Sequence, residues 1–196
     1  VSESALAGYY RWHARIYDWT RPFFLFGRRD LVHRAYASLK PRRVLEIGCG
    51  TGWLLGEFAR LDETVELTGI DLSADMLARA RKRLGTRASL INGRYQQPLS
   101  EGGYDLIVMS YMLTMTGDNF KSILATARRD LSPNGALAIV DFDRTEVPWF
   151  ARWMRVNHVE MSGQIKREID QHFQPLWLQQ RRCYFGLWQR LSALLR

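Results

Sequence analysis

Through the middle of the chain, short apolar runs rich in β-branched residues alternate with longer stretches whose apolar positions recur every three to four residues. Residues 44–47, 65–71, 88–91, 104–110 and 136–142 read as strands, and residues 53–61, 74–84 and 119–131 read as helices. Ser73 is placed to cap the second of these helices, whose Met76, Leu77 and Ala80 share one face, and Pro133-Asn134-Gly135 reads as the turn into the fifth strand. Strands alternating with helices of about 10 to 15 residues imply right-handed crossovers, hence a parallel sheet covered on both faces. The fold class is α/β, doubly wound.

On either side the pattern changes. Residues 3–19 and 21–38 read as two helices broken at Thr20-Arg21-Pro22, with Thr20 as cap and Pro22 in the first turn. Beyond Asp143 come an aromatic helix over 148–161, a short helix over 164–173 and a last segment, 176–195, broken at Gly186, which reads as a hairpin on the sheet edge. Three stretches of one domain follow: residues 1–40 as an N-terminal helical lid, 41–143 as the core, and 144–196 as helices and strands that complete it.

Composition narrows the class. The chain has 196 residues, 46% apolar and 24% charged, with two cysteines, which excludes disordered, collagen-like and disulfide-scaffold proteins. No apolar run approaches the ~20 residues of a membrane-spanning helix, and Val1 to Trp19 lacks the pattern of a secretory leader, so a cytoplasmic location is expected. The net charge of +8 is unevenly spread. Residues 1–43 carry +6, residues 44–143 carry −3 and residues 144–196 carry +5. Six of the seven tryptophans (Trp12, Trp19, Trp149, Trp153, Trp177, Trp188) lie in the two basic flanks. Basic residues interleaved with aromatic ones suit an anionic surface, or they are long cationic side chains lying over an ordinary aromatic core.

In an open α/β sheet the first strand-to-helix turn is a usual ligand site. Here it is Glu46-Ile47-Gly48-Cys49-Gly50-Thr51-Gly52. Alternating glycines admit a ligand close to the backbone, and the helix that follows offers unpaired N–H groups. A dinucleotide fingerprint would need glycine where Trp53 stands, and a P-loop would need a lysine after its last glycine. Glu46 would repel a diphosphate and welcome a cationic group.

The run Val44-Leu45-Glu46-Ile47-Gly48-Cys49-Gly50-Thr51-Gly52 resembles the first motif of class I S-adenosylmethionine-dependent methyltransferases, and the resemblance extends over residues 40–143. It implies a Rossmann-like fold with a mostly parallel seven-stranded sheet, S-adenosyl-L-methionine as cofactor, and no metal. On this resemblance Glu46 supports the amino-acid end of the cofactor, while Gly48, Cys49, Gly50 and Gly52 form its cradle. Asp71 takes the ribose hydroxyls, Leu72 and Met76 flank the adenine, and Ser110, Tyr111 and Met112 stand beside the cofactor. Where relatives often carry an Asp that accepts from the adenine amino group, this chain has Gly93-Arg94-Tyr95. Arginine has donors only, so main-chain groups at Arg94 and Tyr95, or the side-chain oxygens of Asn92, Gln96 or Gln97, are the candidate replacements.

The flanks carry the expectations about the acceptor. Tyr9 to Asp18 is similar to the lid of small bacterial lipid and quinone methyltransferases, which places Tyr17 at the amino-acid end of the cofactor. Asp18 to Arg28 looks most like the phosphatidylethanolamine and betaine-lipid N-methyltransferases. Tyr17 and His158 are the candidate catalytic side chains. The expected acceptor is a lipid or other amphipathic small molecule, methylated on nitrogen by a protein peripheral to an anionic membrane. The alternatives are quinone-type or small-molecule C- or O-methylation, and a domain that binds S-adenosylmethionine without catalysis. Nucleic acid is disfavoured, because Ser110-Tyr111-Met112-Leu113 stands where an Asn-Pro-Pro-Tyr-type motif would be. The sequence leaves the oligomeric state open.

Overall fold

The structure is a computed structural model that describes residues 25–196. Its elements are α1 (Arg28–Leu39), β1 (Arg43–Ile47), α2 (Trp53–Leu61), β2 (Glu66–Asp71), α3 (Ala74–Leu84), β3 (Ala88–Asn92), β4 (Tyr104–Ser110), α4 (Phe120–Asp130), β5 (Leu131–Phe142), α5 (Pro148–Val156), α6 (Gln164–His172), β6 (Pro175–Cys183) and β7 (Trp188–Leu195). All seven strands join one sheet in the order β3-β2-β1-β4-β5-β7-β6, with β7 antiparallel to both of its neighbours. Strand order reverses between β1 and β4, so the ends of these two strands open the crevice where a doubly wound sheet binds its ligand.

Both faces of the sheet are covered, which is why the inner strands are apolar at nearly every position. On β4, Leu106 and Val108 face a core shared with Leu31 and Val32 of α1 and Leu54 and Phe58 of α2. Ile107 and Met109 face the opposite core, with Phe120 and Leu124 of α4 and Ile165 and Ile169 of α6. Ser73 caps α3 by accepting from the Met76 amide at 3.3 Å, and Gly85 ends it.

Three boundaries differ from the sequence reading. The helix expected over 21–38 begins at Arg28 among the described residues, because Gly27 stands in the left-handed region at φ 80°. A Cβ at Gly27 would lie 2.4 Å from Nη1 of Arg190, so a larger residue there would push that guanidinium aside. The helix expected to reach Met161 stops at Val156. The Asn157 amide bonds back to Met154, His158 turns the chain at φ 61°, and the Glu160 amide donates to the Thr114 carbonyl at 2.9 Å. Finally, Pro133-Asn134-Gly135 lies inside β5 as a bulge rather than ahead of it. Tyr104 pairs with Leu131 and Leu106 with Ala136, so residues 132–135 loop out opposite Asp105. The Asp105 carboxylate ties the bulge to β1, accepting from the Arg42 and Arg43 amides and from the Ser132 hydroxyl.

Candidate cofactor site

The glycine turn is built by three residues in the left-handed region, Gly48, Gly50 and Gly52 at φ 70°, 52° and 67°. This conformation strains any residue with a Cβ. It aims the Gly48 and Cys49 amides together at the Ile70 carbonyl, at 2.8 and 3.1 Å, locking the turn to the end of β2. A Cβ on Gly48 would stand 3.1 Å from the Met112 Cβ, and one on Gly52 would stand 2.7 Å from Leu84. From behind, Arg83 of α3 donates to the Thr51 carbonyl at 2.9 Å and to its hydroxyl at 3.0 Å. The cradle is thus held by β2, by α3 and by the segment after β4.

Asp71 closes the rim. One carboxylate oxygen accepts from the Gly50 amide at 2.7 Å and the other from the Ser73 amide at 2.8 Å. A carboxylate offers about four lone-pair sites, so after these two bonds it retains capacity for a diol. Leu72 beside it is 57% exposed, an apolar side chain left at the mouth of the crevice, whereas Met76 is buried. The Asn92 amide nitrogen donates to the Asp71 and Leu72 carbonyls, leaving its oxygen as the acceptor-capable end. Arg94 is exposed.

Glu46 is buried in β1, opposite Gly69 and Val108. Burial, reinforced by the Glu46 and Asp71 carboxylates, pushes the Cys49 thiol well above its ordinary range, so it stays protonated and unreactive. The Ser110 hydroxyl at the end of β4 is buried with no hydrogen-bond partner among the described residues. A cradle that side chains would fill, a carboxylate fixed at its rim and an unsatisfied hydroxyl at its floor fit a sulfonium nucleoside.

The side chains of two expected site residues are engaged elsewhere, although the expectation at Tyr95 concerned its main chain. Tyr95 turns into the core, where its hydroxyl donates to Asp130 at 2.7 Å; burial first and this bond second raise its pKa. Only its main chain is left to serve a cofactor. Tyr111, at φ 52°, packs edge-on against Phe142 and donates to the Phe26 carbonyl at 2.8 Å. Burial raises its pKa. His158 is exposed beyond α5, and Tyr17 lies outside the described residues, as do residues 1–24 of the lid expected over 1–40.

Sequence reasoning missed two buried aspartates, one at each end of β5. Asp130 accepts from Tyr95 and from the Leu99 and Ser100 amides, and so pins the chain leaving β3 against α4. Asp141 accepts from the Leu113 and Phe142 amides and the Thr114 hydroxyl, and so fixes the segment that carries Met112. Its full burial raises its pKa to about 6. The available signal was a single carboxylate inside the apolar run 136–142.

Residues 44–135 match the family model described as a methyltransferase domain. Taken with the strand order and the glycine turn, this match shows that the chain carries a class I S-adenosylmethionine-dependent methyltransferase domain. Within that class the chain is 31% identical over 158 residues to a malonyl-[acyl-carrier protein] O-methyltransferase of Legionella pneumophila, covering 75% of this chain and 55% of that protein. It is 27% identical over 132 residues to a demethylmenaquinone methyltransferase of Thermotoga maritima, covering 65% of this chain and 57% of that protein. The chain therefore spans little more than half the length of these curated relatives. Among solved structures it is similar to the N-methyltransferase NodS of Bradyrhizobium japonicum in complex with S-adenosylhomocysteine, with a TM-score of 0.70 at 21% identity, covering 86% of this chain and 84% of that one.

Proposed function

We propose that this chain transfers a methyl group from S-adenosylmethionine to an amphipathic small molecule presented at an anionic membrane surface. The observation that carries the reading is the Asp71 carboxylate fixed by the Gly50 and Ser73 amides at the rim of the glycine turn. When bound, the cofactor supplies an electrophilic methyl on its sulfonium. The chain holds the ribose at Asp71, covers the adenine with Leu72, accepts from the adenine amino group at the Asn92 oxygen, and supports the amino-acid end near Glu46. Alignment and exclusion of water then account for the rate, without a protein nucleophile.

Of the acid–base candidates among the described residues, His158 is exposed just past the end of α5, and Asp141 is committed to holding residues 113 and 114. This favours an acceptor that brings its own lone pair, a neutral amine first and a carboxylate second, over a carbon acid that needs a base. Support for an amphipathic acceptor comes from the carboxyl edge of the sheet. There α5 buries Phe150 and Met154 but leaves Trp149 66% and Trp153 49% exposed, with Arg152 and Arg155 exposed as well. The β6–β7 tip reaches the same edge, because Phe142 pairs with Arg190 and the Thr145 hydroxyl donates to the Leu187 carbonyl. At that tip Phe185 is fully exposed. Aromatic side chains ringed by arginines suit the boundary of an anionic leaflet. No helix among the described residues is long and apolar enough to cross a membrane.

The test is incubation with labelled methyl donor and a total lipid extract, followed by separation into lipid, small-molecule and nucleic-acid fractions. Label in the lipid fraction, lost in Asp71→Asn, is the expected result. Label in water-soluble small molecules moves the acceptor class, and tight cofactor binding with no label anywhere refutes catalysis.

A further inference from the structure

Strand β7 carries an anomaly. The Trp188 Nε1, Arg190 Nε and Ser192 Oγ atoms are buried with no hydrogen-bond partner among the described residues. Spaced two apart, the three side chains share one face of the strand, the face that packs toward α1. Arg190 is only 6% exposed, and it forms no ion pair among the described residues. An arginine Nε–H withdrawn from water without an acceptor is unfavourable, whereas the same group bonded to an anion is not.

The surroundings are cationic. The Arg190 guanidinium lies against Gly27, and its charge acts on the Tyr111 hydroxyl and the Cys183 thiol. Arg28 also acts on Tyr111, with its guanidinium 4.5 Å over the ring of Trp53 in the first turn of α2. The carboxylate that reaches Tyr111 is Asp141, which is already engaged by Leu113, Thr114 and Phe142. Arg190 pairs with Phe142 at the carboxyl end of β5, and Tyr111 directly follows the end of β4. The unpartnered Nε of Arg190 therefore stands at the edge of the sheet that holds the cofactor cradle, on the side away from Asp71.

We infer that Arg190 and the Trp188 indole form a subsite for an anionic group, a carboxylate or a phosphate, carried by the acceptor molecule. The Nε–H of Arg190 and the Nε1–H of Trp188 donate to the anion, and Arg28 adds long-range attraction. Assigning the anion to the acceptor rests on the methyltransferase reading; its binding does not.

The experiment follows the Trp188 indole signal in proton–nitrogen NMR spectra of the full chain, assigned with Trp188→Phe, during titration with hexanoate, hexyl phosphate and hexanol. A saturable shift with the anions and none with hexanol is expected; which of the two binds more tightly identifies the source chemistry. Arg190→Met should weaken binding about tenfold or more, and Arg190→Lys should restore part of it. If Arg190→Met does not fold, Arg190→Lys alone must weaken binding. The inference is overturned if neither anion shifts the signal, if hexanol shifts it equally, or if the Arg190 variants bind as the wild type does. Calorimetry with S-adenosylhomocysteine on the same samples separates failure of the anion subsite from failure of the cofactor reading.

Discussion

Replacing Gly69 by alanine tests how the second strand supports the glycine turn. Gly69 sits in mid-β2, paired with Glu46 on one side and Leu90 on the other, so its backbone has no freedom to retreat. A Cβ there would stand 2.8 Å from the Cys49 Sγ, 3.1 Å from the Cys49 Cβ and 2.8 Å from the Leu55 Cδ1. Leu55 ends in a flexible side chain and can give way, but Cys49 is inside the turn and moves only with it. Overpacking of this kind costs about 1–3 kcal/mol. In a domain of this size that is a fall in melting temperature of roughly 2–12 °C. Because the strain is delivered to Cys49, affinity for S-adenosylhomocysteine should fall together with stability. Cys49→Ala removes the worse of the two Cys49 contacts, so the double variant should be less destabilised than the two single changes added, by about 0.5–2 kcal/mol. Scanning calorimetry and titration calorimetry on the four proteins give both quantities. A Gly69→Ala protein that melts with the wild type, or a double variant with strictly additive losses, would refute the packing described for this turn.

Asp71→Asn should weaken S-adenosylhomocysteine binding about ten- to a hundredfold in titration calorimetry, since it exchanges charge-assisted bonds for neutral ones. Tyr95→Phe leaves one bond of the buried Asp130 carboxylate unmade and should cost roughly 1–3 kcal/mol in urea unfolding, with cofactor affinity changed little. Asp141 has a folded pKa of about 6 against an ordinary 3.8, so the folded state binds the extra proton between those values. Its contribution to stability therefore improves as pH falls from about 6 toward 4, by a few kcal/mol at most, and Asp141→Asn should flatten that part of the stability profile. Iodoacetamide at neutral pH should leave Cys49 unmodified until the protein unfolds, which mass spectrometry of labelled peptides detects.

The alternation of apolar strands and periodic helices was enough to read the order of elements from β1 to β5, because parallel strands buried on both faces leave an unbroken apolar signature. It could not show that Pro133-Asn134-Gly135 is absorbed as a bulge, since that depends on Asp105 reaching across to β1. Nor could it show where α5 ends, which depends on Glu160 pairing with Thr114. In the candidate site, the glycine turn could be read from its spacing, whereas Asp71 entered only through the resemblance to the methyltransferase family. That the Tyr95 side chain turns inward was not legible, because its partner, Asp130, is 35 residues away on α4. Arg190 left no trace, since a basic residue in a basic tail looks solvated until the sheet buries it.

Arg83 shows how far the glycine turn extends into the rest of the protein. On α3 it looks like one more solvent-facing arginine beside Arg81 and Lys82, yet it grips the Thr51 main chain. In a saturation library scored for growth or turnover, its neighbours should tolerate nearly any helix-forming substitution, while position 83 should be depleted of everything except arginine. Engineers who redesign that helix for solubility would disable the protein without altering a residue they regarded as functional.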